Sequence, residues 1–338
     1  MSRRVVPSVF RNGSLARIRV LLIGLAFVLA DGQTQPASRA WMAAHSEDTP
    51  SARQSGTTQL EYVVNARVRP LLFWFGRDDV GSGRITWRGS GSDRAVELLV
   101  GSDPARTPRQ INRWGFIREE SSGDATRVLG VMKESSEETL DEAEASIDRE
   151  RAGDVVFKAI RATITDKSAV GGTMTIRTPS NLTYHQLDAL LPLIPLEPPV
   201  QRSLELPAGT QHGFLRGMTV LIAESTGPCR TSRKAAARTV SKVPYVYKQT
   251  LYDLSLVSCE YVPELQTKRG SFFEIVKGRF ETRNRTTGNL THFQVAFGTS
   301  GEQNGRPVRI VFRPRWWLEF ELLLDRPPVP ESVARVRP

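Results

Sequence analysis

The chain has 338 residues, of which 39% are hydrophobic, with 6 Trp and 14 Phe. That is enough apolar material for one large or two ordinary domains, and too much for a chain that stays disordered. The formal charge of +10 suggests nucleic acid until it is divided: five arginines and no acidic residue fall in the first thirty positions, so half of the excess belongs to them. The mildly basic remainder excludes nucleic acid as the leading partner and favours an apolar ligand or an anionic envelope surface.

Arg3, Arg4, Arg11, Arg17 and Arg19 lead into an apolar run, Val20 to Ala30. Charge followed by a short greasy stretch, with Val28 and Ala30 as small residues before a cleavage point, reads as a secretory signal peptide over residues 1–30. A membrane-spanning helix needs roughly 20 apolar residues, more than this run offers. The reading is a periplasmic or secreted protein with no transmembrane segment in the mature chain. Ser2-Arg3-Arg4 also echoes a twin-arginine signal, so the export route stays open. Residues 31–58 are polar and aperiodic and read as a flexible segment.

Residues 59–195 read as an N-terminal β-rich domain. Leu60–Val64, Leu71–Phe75, Arg84–Arg88 and Ala95–Val100 have strand character, with Gly76–Gly83 between them as a turn or loop. Ser135 and Glu138 form a capping box ahead of a helix over 136–151. A second helix is expected over 182–193, capped by Ser180 and ended by Pro192 and Pro195. The Pro-rich stretch Pro195–Pro199 marks an internal boundary. Residues 200–325 then read as an antiparallel meander with strands at Gly217–Ala223, Tyr247–Tyr261, Phe272–Thr282, Leu290–Phe297, Val308–Phe312 and Trp316–Leu324. A Pro-rich tail, 326–338, closes the chain. The fold class is mainly β (β-rich α+β): two antiparallel, curved sheets or partial barrels with one or two packed helices.

Chemistry is sparse. Glycine-elbow, zincin and phosphate-loop signatures are absent from the sequence. His45, His185, His212 and His292 are far apart in sequence, so no metal site is read and no cofactor is implied. Asp78-Asp79 reads as a turn pairing with Arg77 or Arg84, against a weaker calcium alternative. Cys229 and Cys259 suit a disulfide in an oxidising compartment, with free thiols or half a metal site as alternatives. Between them lies a basic surface of Arg230, Arg233, Lys234, Arg238 and Lys242. Trp74, Trp87, Phe272, Trp316 and Trp317 are the candidate ligand-binding aromatics. Adjacent aromatics in a strand point to opposite faces, so one of each pair is left for a groove or a second layer.

Gly288–Leu290, Val295–Phe297, Arg306–Ile310 and Trp316–Glu319 resemble the C-terminal β-meander of uncharacterised exported bacterial proteins, over about 75 residues. The resemblance implies an exported β-rich protein and assigns no functional residue. The leading expectation is a non-enzymatic envelope protein that binds an apolar or lipid-like ligand or an envelope partner. The alternatives are a secreted hydrolase whose site assembles in space, and an assembly factor that uses strand edges.

Overall fold

The computed structural model describes residues 57–69, 73–90, 93–107, 110–133, 155–179, 181–231, 241–315 and 318–325. It is mainly β, as the alternation predicts. The strands are β1 (Thr58–Val68), β2 (Phe75–Ser90), β3 (Asp93–Ser102), β4 (Trp114–Ser122), β5 (Ala125–Lys133), β6 (Val155–Ile164) and β7 (Ser168–Thr178). They continue with β8 (Arg202–Glu205), β9 (Ser241–Tyr247), β10 (Thr250–Thr267), β11 (Gly270–Asn284), β12 (Leu290–Gly298), β13 (Pro307–Arg315) and β14 (Leu318–Leu324).

All fourteen lie in one sheet, ordered β8-β7-β6-β5-β4-β3-β2-β1-β14-β13-β12-β11-β10-β9. Two meanders run outward in opposite directions from a central seam. At that seam β1 pairs antiparallel with β14, from Tyr62 opposite Leu324 to Val68 opposite Leu318. The two sheets expected from the sequence are thus two halves of one ladder. The first half extends past the Pro-rich boundary, because β8 pairs with β7.

Among the described residues the sheet is not closed by hydrogen bonds, but it curls. Gly130 on β5 leaves space that Tyr247 on β9 approaches: a Cβ there would stand 3.1 Å from the Tyr247 hydroxyl oxygen. The concave side holds the main apolar core, including Tyr62, Val64, Phe280, Phe293, Phe312, Phe320 and Leu322. Burial alternates along β11 and much of β7, where one face is drier than the other. On β14 both faces are covered. Phe320 and Leu322 enter the core, while Glu319 and Glu321 on the opposite face pair with Arg313 (2.5 Å) and Arg309 (2.6 Å) of β13.

One long helix, Phe214–Thr231, packs on the concave side against β9 and β10. This corrects the strand expected over Gly217–Ala223. Thr219, Val220 and Ile222 suggest a strand, but β-branched residues cost a helix only tenths of a kcal/mol each. The buried positions Leu215, Leu221, Ile222, Ser225 and Cys229 follow the helical period, and burying that stripe outweighs the propensity. A second correction concerns Gly76–Gly83, expected as a loop, which lies inside β2. Its glycines serve close strand packing: a Cβ on Gly81 would stand 1.9 Å from the Gly101 carbonyl oxygen of β3.

A smaller core forms on the opposite face of β3–β7, from Leu99, Trp114, Phe116, Leu129, Phe157 and Met174. Three short helical turns cover it, Tyr184–Gln186, Leu187–Leu190 and Leu191–Leu193, which supply Tyr184, Leu187 and Leu190. This is the helix expected over 182–193, broken into turns. The helix expected over 136–151, the signal peptide and the Pro-rich tail lie outside the described residues.

Candidate functional site

The most developed polar arrangement lies where the long helix meets β4 and β5. Ile117, Glu119 and Ser121 share a face of β4, and that face looks into the concave core. Glu119 is buried, and its carboxylate accepts the amide protons of Leu215 (2.9 Å) and Arg216 (2.8 Å). The first turn of a helix leaves amides without intrahelical partners and carries partial positive charge, so a carboxylate fits there. Burial pushes the Glu119 carboxyl up to about 7, against the opposing pull of those amide bonds and of Arg216.

A relay of hydrogen bonds runs beside it. Arg216 Nη1 donates to Ser121 Oγ (3.0 Å), and Ser121 Oγ lies 3.1 Å from Thr126 Oγ1. Thr126 Oγ1 lies 3.3 Å from His212 Nδ1, and His212 Nε2 lies 3.1 Å from Asp166. A single proton assignment satisfies every member. Ser121 donates to Thr126, Thr126 donates to Nδ1 of a neutral imidazole, and Nε2–H donates to Asp166. Burial and the Arg216 charge both lower the His212 pKa, against Asp166, which favours that neutral ring.

Hydroxyl, imidazole and carboxylate in line have the composition of a nucleophile relay. Here, however, Thr126 is 1% exposed, so its oxygen faces packed protein with no room for an acyl group. The arrangement docks the helix. Sequence reading missed Glu119, Thr126, Asp166 and Arg216 as a group. The available signal was a carboxylate at an inward position of an alternating strand.

The expected site residues are dispersed. Phe272 is fully buried in the core, and Trp87 is half-buried against it. Trp316 and Trp317 lie outside the described residues. Trp74 belongs to an exposed run in which Phe73, Trp74 and Phe75 are 72%, 37% and 51% exposed. The guanidinium groups of Arg69 and Arg313 stand 5.9 Å and 5.3 Å from the Trp74 ring centre. This aromatic rim lies at one end of the central seam, since Val68 pairs with both Phe75 and Leu318.

Of the basic surface, Arg233, Lys234 and Arg238 lie outside the described residues. Lys242 is paired with Asp253 at 3.0 Å, and Arg230 lies 3.8 Å from Glu274. The Cys229–Cys259 disulfide is present and ties the C-terminal end of the long helix to β10. Asp78 and Asp79 pair with Lys268 (2.6 Å) and Arg269 (2.5 Å) from the β10–β11 turn, which corrects the expected partners Arg77 and Arg84. The His185 ring lies 4.0 Å from that of its neighbour Tyr184, tilted by 34°, and His292 lies 3.6 Å from Glu281. Among the described residues no three metal-ligating side chains converge, and no helix is long and apolar enough to cross a membrane.

No family model matches the chain, and no curated protein matches it. A solved structure described as a "putative lipoprotein" from Parabacteroides distasonis aligns over 80% of this chain and 94% of its own, with 12% identity and a TM-score of 0.26. A likeness at that level carries no conclusion about fold or role.

Proposed function

We propose that the chain is a non-enzymatic protein of the cell envelope that docks on an anionic lipid surface through the rim Phe73-Trp74-Phe75. The observation that carries this reading is the exposure of three consecutive aromatics beside Arg69 and Arg313. Scattered exposed apolar residues are ordinary, whereas a contiguous aromatic run costs solubility unless something covers it. Aromatic rings beside cations suit the lipid headgroup region, where rings settle at the interface and an Arg adds about 1 kcal/mol at an anionic surface; Arg313 is already paired with Glu319, which leaves Arg69 to supply that charge. The Arg-rich start and short apolar run of the chain support an envelope location, as does the resemblance of its last strands to exported proteins.

Strand edges offer less for assembly. The outer edge of β9 is occupied by Gln211, whose amide bonds to Pro244 O at 2.8 Å, and β8 is only four residues long.

Sedimentation with vesicles tests the reading. The protein should pellet with phosphatidylglycerol-containing vesicles more than with phosphatidylcholine alone, with a blue shift in tryptophan emission. The Phe73→Ser/Trp74→Ser variant should lose both effects while keeping its melting temperature. Equal recovery of that variant with the vesicles would overturn the assignment.

A further inference from the structure

On the face of the first meander that carries the smaller core, and beyond that core, two rows of side chains run across β4 to β7. The pairing Arg118–Leu129–Arg161 runs from β4 to β6, and Glu120–Arg127–Thr163–Val170 runs from β4 to β7. The segment after the helical turns lies over β7, where Gly172 admits it: a Cβ on Gly172 would stand 2.1 Å from Val200 O and 2.9 Å from Pro198 Cβ. Between that segment and the strands lies a pocket of about 580 Å³, lined among others by Arg118, Arg127, Leu129, Arg161, Val170 and Leu196. Its volume falls in the range of small-molecule sites, roughly 300–1,000 Å³.

The cations of this pocket are unequally matched. Arg118 Nε bonds Glu97 at 2.6 Å, and Arg127 bonds Glu120 at 3.1 Å. Arg161 has no carboxylate partner among the described residues. Its Nη2 donates to the Ile194 carbonyl at 3.3 Å, and its Nε is buried with no hydrogen-bond acceptor. The charge of Arg118 also acts on it without relief, so burial and that neighbour both lower its pKa. With Nε closed off, an incoming oxyanion meets the Nη edge of this guanidinium, and a negative charge there offsets the repulsion of the second cation. Val170, 37% exposed, and Leu196, 83% exposed, give the pocket an apolar side, while two carboxylates also line it, Glu120, which Arg127 neutralises, and Glu197.

We infer that the pocket between β4–β7 and the 194–201 segment binds a small amphiphile, its oxyanion head on Arg161 and its apolar part along Val170 and Leu196. Carboxylate and phosphate heads share the chemistry that Arg161 recognises. This site lies apart from the aromatic rim and does not depend on the vesicle reading.

Isothermal titration of the full chain with sub-micellar dodecanoate, dodecyl phosphate, inorganic phosphate and the neutral dodecyl maltoside tests it. The expected result is saturable binding of one or both anionic amphiphiles, weaker binding of inorganic phosphate and none of the maltoside. A preference between the first two distinguishes a carboxylate from a phosphate head. Arg161→Gln should weaken anionic amphiphile binding at least tenfold. Val170→Glu, which adds a charge at the rim and leaves the Arg161 bonds intact, should weaken it comparably. Both variants are compared at unchanged melting temperature, and Val170→Glu alone decides if Arg161→Gln unfolds. Unchanged affinity in Val170→Glu, or maltoside binding as tight as that of the anions, would overturn the inference.

Discussion

Gly213 and Glu119 are 94 positions apart in sequence and nearly touch: a Cβ on Gly213 would stand 2.3 Å from the Glu119 Cδ. Gly213 also holds φ at 124°, a conformation costly for any other residue. The glycine lets the helix start directly against the carboxylate. Gly213→Ala should therefore cost more than the usual glycine substitution, about 2–4 kcal/mol from strain plus a displaced cap. Urea unfolding of the variant, with Glu119→Ala in parallel, reads this. Near-equal losses that fail to add in the double variant would show that both act on one contact.

The same carboxylate predicts a pH dependence. Its folded pKa, about 7, lies above the ordinary carboxylate value near 4.5. The folded state therefore binds the extra proton between these values, and its contribution is full below pH 4.5 and lost as pH rises through 7. The loss is on the order of 3 kcal/mol. Glu119→Gln, which imitates the protonated form, should flatten the melting curve against pH between 5 and 8.

His212 works in the opposite sense. Its pKa is lowered on folding, so its contribution is present above about 6.5 and is lost as pH falls through the folded value. His212→Asn keeps an acceptor and a donor without a titrating ring. It should remove the decline on the acid side and leave the alkaline side as in the parent.

The disulfide closes a loop with a sequence separation of 30 residues, worth about 3–4 kcal/mol in chain entropy. Reduction, or Cys229→Ala/Cys259→Ala, should lower stability by that amount. It should also raise amide exchange in the last turns of the long helix more than at Leu215 and Arg216, which Glu119 still holds.

Gly101 offers a local probe on the other face. A Cβ there would stand 2.2 Å from the Tyr184 ring, whose hydroxyl lies 2.8 Å from Ser82 Oγ. Gly101→Ala should release the short helical turns and expose Leu187 and Leu190. Increased binding of a hydrophobic dye with only a modest fall in melting temperature is the expected readout.

Strand type was legible because alternation reports a one-sided sheet directly. Sheet order was not, since the β1–β14 pairing joins residues such as Asn65 and Glu321, 256 positions apart, and no local pattern encodes that contact. The long helix was misread because Thr219-Val220-Leu221-Ile222 satisfies strand preference, while its 3.6-residue burial needs a concave sheet to have meaning. The cysteine pair was readable from its count, two cysteines in the whole chain, together with the expectation of an oxidising compartment. Trp74 was readable as unusual, but its partners Arg69 and Arg313 become neighbours only through the seam. The arginine pocket depends on register across β4–β7, which a one-residue slip would move to the other face.

The central seam also constrains how the protein is made. The strand that begins the first meander gains its second neighbour only when the last strand arrives, so a chain growing from its N-terminus carries an open edge through the middle of its future sheet. Such an edge invites wrong partners during synthesis. Once formed, the seam brings Asp325 N to within 2.8 Å of Glu61 O. A circular permutant joined across those ends and opened near Gly209 would make both seam strands neighbours in time as well as in space.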